Sequence, residues 1–109
     1  MATTYKVLGQ IEPSANSVTT VYTVPSATQA VVSTITACNQ GTLSSNVRIA
    51  VQPNAEALAD KHYLVYDVAL AAGQTAAFTL GITVDAADII AVRASTATVS
   101  FNVFGSEIS

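Results

Sequence analysis

The sequence predicts an all-β fold, a two-sheet antiparallel sandwich of jelly-roll type with about eight strands and one short helical insert. Three observations predict it. Turn-forming residues punctuate the chain about every 8 to 12 positions, the spacing of sandwiches and barrels. The stretches between them are rich in Val, Ile and Thr, which suit a pleated surface. Several of these stretches also alternate apolar and polar residues with a period of two. With 109 residues there is room for a single domain, spanning 1–109. A seven-stranded immunoglobulin-like sandwich is the competing arrangement, without that fold's Cys and Trp signature.

Taken in order, Tyr5 to Gln10 is the first strand, closed by the polar cluster Glu12 to Ser17. Val18 to Val24 is the second and stops at Pro25, which has no N–H to give a ladder. Gln29 to Cys38 is a long β-branched strand ending at Asn39-Gln40-Gly41. Val47, Ile49 and Val51 alternate with Arg48, Ala50 and Gln52, so one face is dry and one wet until Pro53. Asn54 to Asp60 has a capping Asn followed by good helix formers and is the expected helical insert. Tyr63 to Leu70 is apolar on both faces apart from Asp67, the pattern of a central strand or of one covered by a neighbouring chain. Phe78, Leu80, Ile82 and Val84 alternate with Ala77, Thr79, Gly81 and Thr83 in one strand from Ala76 to Val84. The acidic turn Asp85 to Asp88 leads into Ile89 to Ala94. The last strand, Ala97 to Gly105, turns Val99, Phe101 and Val103 inward and leaves Phe104 on the wet face.

Composition excludes several functions. Half the residues are hydrophobic and mean hydropathy is +0.47, with only 10% charged, so the chain folds. Its apolar content is mostly Ala and Val with no Trp, which makes a thin core of small side chains. Four scattered basic residues, Lys6, Arg48, Lys61 and Arg93, in a chain of net charge −3 form no stripe for nucleic acid and no polybasic membrane patch. The segment Met1 to Gln10 lacks a signal pattern and no window is long and apolar enough to span a bilayer, so a cytoplasm is the expected place of synthesis. The single cysteine, Cys38, is expected to be a buried, inert thiol.

Chemistry finds little material. His62 is the only histidine and sits in the polar run Asp60-Lys61-His62, where a surface position is expected. A triad with Asp67 and a serine lacks the strained elbow that holds a nucleophile. One Cys and one His cannot make a zinc site, and the five glycines form no phosphate loop. Asp85 and Asp88 have the spacing of a turn that holds a hard cation, but with only two carboxylates nearby the preferred reading is that Asp85 closes the turn by bonding its own backbone and Asp88 begins the next strand. Glu56 and Asp60, four apart on a helix, would be solvated like charges. Paired-carboxylate glycosidase chemistry lacks aromatic platforms. No catalytic residue, cofactor or metal ligand is therefore assigned, and the chain is expected not to be an enzyme.

The aromatic residues point elsewhere. Tyr22, Tyr63, Tyr66 and Phe104 lie in strands where alternation turns some of them away from a core. Two readings stay open: they complete a core poor in large residues, or they form an interface. The interface is placed on Tyr63, Tyr66, Phe104 and Ile108, as one neutral, aromatic-bearing face that serves self-association or docking.

From Lys61 to Ser109 the chain contains a Tyr-rich strand, an LGIT strand, ADIIAV and a closing FNVFGSEI, preceded by VYTVPSATQAVVSTITACN at Val21 to Asn39. In these motifs, over nearly its whole length, it resembles small bacteriophage virion structural proteins. The resemblance implies a structural role and supplies no catalytic residue. It makes a capsid cement or decoration protein the leading expectation, bound to the major capsid protein as a homo-oligomer in a virion assembled in the bacterial cytoplasm. A tail, baseplate or fibre component is the alternative, and a carbohydrate- or calcium-binding β module is the alternative of another class.

Overall fold

The computed structural model describes residues 2–109 and has nine strands: β1 (Thr3–Ile11), β2 (Thr19–Thr23), β3 (Gln29–Asn39), β4 (Ser45–Gln52), β5 (Tyr63–Leu70), β6 (Thr75–Phe78), β7 (Ile82–Val84), β8 (Ile89–Ala94) and β9 (Val99–Ile108). They form two antiparallel sheets. The first has the order β1-β9-β3, with β6 and β7 sharing the far side of β3; the second has the order β2-β8-β4-β5. The pairings nest: β4 with β5, β3 with β6 and β7, β2 with β8, β1 with β9. This is one long hairpin rolled up, with β3–β9 and β4–β8 pairing closing the two sheets, and it is the expected jelly roll.

The core lies between the sheets and follows the alternation. Ile35 and Ala37 on β3, Val47 and Ile49 on β4, Ile90 and Val92 on β8, and Val99, Phe101 and Val103 on β9 are all essentially inaccessible. Two glycines permit close backbone approach. A Cβ on Gly105 would strike the Val31 carbonyl across the β9–β3 ladder, and one on Gly9, at a bulge in β1, would strike the Val21 carbonyl of the facing sheet.

Three expectations need correction. The segment Ala76 to Val84 is two strands, because Gly81 takes φ +64° and breaks the ladder; Leu80, expected on the inward face, is 48% exposed. No helix forms over Asn54 to Asp60. Asn54 and Ala55 have φ of +53° and +57°, which no α-helix tolerates, and only short 3-10 turns remain at Pro53–Ala55 and Asp60–His62. The segment nevertheless covers something: its turns touch β4 and β8, and Ala50 and Ala91 are buried on those strands outside the main core cluster. Finally, of the two readings of β5 the central strand is overturned: it is an edge strand, paired with β4 alone, and exposes Leu64, Tyr66 and Val68.

Candidate functional site

Strand register fixes which side chains the first sheet turns outward. The inward set on β9 is buried, so its neighbours Ser100, Asn102, Phe104, Ser106 and Ile108 face out. Cross-strand pairing then places Tyr5, Val7 and Gln10 of β1, Val31, Thr36 and Cys38 of β3, and Thr75, Ala77 and Thr83 of β6 and β7 on the same side. None of them carries a charge. Phe104 sits beside Val7 on one flank and Thr34 on the other, while Ser106 separates Tyr5 from Val31. The result is a contiguous apolar patch, with Tyr5 84%, Val7 47%, Val31 37% and Phe104 36% exposed. Exposed apolar patches on small domains commonly mark contact sites.

The second sheet's outer side differs in character. Between the pairs Val47–Val68 and Ile49–Val65, β4 has only Arg48 while β5 has both Tyr66 and Asp67. This is a β-bulge, and Asp67 adopts φ +52° to make it. Both bulged residues consequently bear on Arg48. Its guanidinium donates to the two Asp67 carboxylate oxygens at 2.6 and 3.0 Å and lies 4.0 Å from the Tyr66 ring centroid and 5.9 Å from that of Tyr63. The paired guanidinium holds the Asp67 carboxyl below its ordinary range.

The four interface candidates therefore do not share a face. Tyr63 and Tyr66 lie on the outer side of the second sheet and Phe104 and Ile108 on that of the first, with the core between them. Tyr22 belongs to neither, being buried between the sheets. Sequence reasoning missed Tyr5, Val7 and Val31. The shared parity of Tyr5 and Val7 was a usable signal, but the pairing of β1 with β9 was not.

Tyr22 joins the sheets. Its hydroxyl donates to Glu107 Oε2 at 2.6 Å, and Lys6 Nζ lies 2.9 Å from Glu107 Oε1. Burial first, and then Glu107, pushes the Tyr22 hydroxyl's ionisation well above the usual phenol range. The Tyr22 hydrogen bond, and after it the one from Lys6, holds the Glu107 carboxyl below its ordinary value. A depressed carboxyl contributes stability that is present above its unfolded pKa of about 4.3 and is lost as pH falls through the lower folded value. Tyr22→Phe should therefore cost about 1.5–3 kcal/mol at neutral pH, and less once acid has protonated Glu107. Urea denaturation of both proteins at neutral and acid pH checks this; a difference that does not change with pH would show that the carboxylate charge is irrelevant.

The remaining chemical candidates are tied into the backbone. His62 is not a surface residue: its side chain is 3% exposed, Nδ1 accepts the Ala59 N–H at 3.0 Å, and Nε2 has only Glu56 Oε1 at 3.5 Å. The preceding turn buries it against β4, which the polarity of the run Asp60-Lys61-His62 hid. Asp85 Oδ1 accepts the Ala86 N–H, and Asp88 accepts the N–H groups of Asp85 and Asn54, so these carboxylates close turns. Among the described residues no three of His, Cys, Asp and Glu gather as a metal site. Cys38, expected to be buried, is half-buried on the outer side, because the inward positions on either side of it belong to Ala37 and Asn39. Neither a family model nor a curated protein matches this chain.

Proposed function

We propose that the chain is a non-enzymatic structural protein of a phage virion, a cement or decoration protein that docks on the outside of a capsid lattice and stabilises it. The observation that carries this reading is the charge-free outer face of the first sheet, with Tyr5, Val7, Val31 and Phe104 at its centre. Burying such a face desolvates no ion, so docking on a protein lattice gains the apolar term without the cost of stranded charge. The jelly-roll fold and the sequence resemblance to phage virion proteins support the same reading.

The test is cosedimentation with purified capsids. The wild-type chain is expected to pellet with them in many copies per particle. Phe104→Ser should stay folded, since Phe104 lies outside the core cluster, and should bind the capsid about tenfold more weakly than wild type. A wild-type chain that ignores capsids overturns the decoration reading. Recovery in a few copies with tails assigns it to the tail, baseplate or fibre, and glycan binding without any particle assigns it to the lectin class.

A further inference from the structure

We infer that the hollow bounded by Asp60, Tyr63 and Tyr66, on the outer side of the second sheet, receives a basic side chain, a lysine or arginine presented by a protein partner. The hollow exists because β5 is irregular. Residues three apart on a regular strand point to opposite faces, but Leu64 is an extra residue between the pairs Ala50–Tyr63 and Ile49–Val65. Tyr63 and Tyr66 consequently share a side, with ring centroids 5.0 Å apart and planes at 82°. Two rings at a right angle make a corner, and with Asp60 they bound the hollow.

The same ring pair already engages one cation outside the hollow. Tyr66 holds the Arg48 guanidinium at 4.0 Å, and Arg48 is not among the walls of the hollow. Asp67 neutralises Arg48 through two hydrogen bonds, so a second cation would not face an unpaired positive charge there. Asp60 supplies the counter-charge. It is exposed, and among the described residues its carboxylate has neither a hydrogen bond nor an ion pair, while its neighbour Lys61 is engaged with Glu56 at 3.5 Å. The backbone that carries this carboxylate is held from behind, because buried His62 accepts the Ala59 N–H and the Asp60 carbonyl accepts the Tyr63 N–H.

The occupant is a side chain rather than a free small molecule because of shape. The hollow measures about 440 Å³ but is open to solvent, whereas small-molecule sites bury most of their ligand. A lysine or arginine anchored in a partner gains its remaining buried area elsewhere. The hollow and the charge-free face lie on opposite sheets, so either assignment can fail without the other.

The experiment is a titration of the full chain, with tyrosine rings labelled for NMR, by a blocked glycyl-lysyl-glycine amide and by its norleucine counterpart. Saturable shifts confined to the Tyr63 and Tyr66 rings are expected with the lysine peptide alone. Asp60→Asn should weaken the binding about fivefold and Tyr66→Leu about tenfold, and Phe104→Ser should leave it unchanged. Both hollow positions are exposed, so the fold survives these changes and the wild-type spectrum away from β5 verifies it. Equal shifts from the norleucine peptide, no shifts from either peptide, or an Asp60→Asn titration identical to wild type would each overturn the inference.

Discussion

Asn39→Asp should destabilise the protein by about 3–5 kcal/mol at neutral pH, the scale of an uncompensated buried charge. Asn39 ends β3 with no accessible surface and uses every hydrogen-bonding position of its amide. Its Nδ2 donates to the carbonyls of Leu43 and Leu70 at 2.9 and 3.1 Å, and its Oδ1 accepts from Gly41 N and Thr98 Oγ1 at 3.0 and 2.9 Å. One side chain thus ties the end of the first sheet to the loop before β4, the end of β5 and the approach to β9. A carboxylate there keeps the two bonds it accepts and turns an anion toward two carbonyl oxygens. The new carboxyl is driven toward its neutral form, so its folded pKa rises. The stability it retains is then fullest below the unfolded value of about 3.9 and declines as pH rises through the folded value. Denaturant midpoints across that range should show the variant's deficit narrowing in acid. A deficit independent of pH would indicate impaired packing instead.

Phe101→Ala carries the second large effect, about 3–5 kcal/mol. Phe101 is the largest fully buried side chain, and its strand neighbours are Ile11 and Ala37. A core built mostly from Val, Ala and Ile has few long side chains able to collapse into the vacated space, so the cavity persists and the loss falls at the upper end. Against a typical total of about 5–15 kcal/mol, the variant should show a much lower denaturation midpoint in urea with an unchanged slope. A loss below about 1 kcal/mol would mean that the two sheets close over the gap.

Phe101 and Asn39 also mark what could be read in advance. Phe101 belongs to a strand whose alternation is unbroken, so its burial was legible, as were the extents of β3, β5 and β8 and the fold class itself. Asn39 looked like an ordinary turn residue, since nothing local announces that Leu70 and Thr98 will converge on it. The same limitation explains the interface candidates. Alternation gives the parity of Phe104 within β9, but only pairing with β1 and β3 shows that Val7, Tyr5 and Val31 complete its patch. Tyr63 and Tyr66 were rightly grouped, but the reason was not legible: plain alternation sets residues three apart on opposite faces, and the bulge that brings these two to one side depends on the partner strand. Positive φ at Asn54 and Ala55 defeated helix propensity in a segment too short for propensity to prevail.

The nested pairing imposes an order on how a nascent chain can fold. β1 has β9 as its only sheet neighbour, so residues 3–11 leave the ribosome with no strand to pair with until β9, from Phe101 for Ile11 to Ile108 for Thr3, has been made. At roughly 5–20 residues per second that wait is on the order of 5 to 20 s. β2 likewise waits for β8, and β3 for β6, β7 and β9, leaving the β4–β5 hairpin, with its Asn54–His62 connection, as the first unit able to form. During this interval Tyr5, Val7 and Val31 are presented on unpaired strands with Lys6 as the one charge on β1 and none on β3. Sister chains on one polysome can therefore pair with each other through these strands, and yield of native protein should fall as translation becomes more crowded.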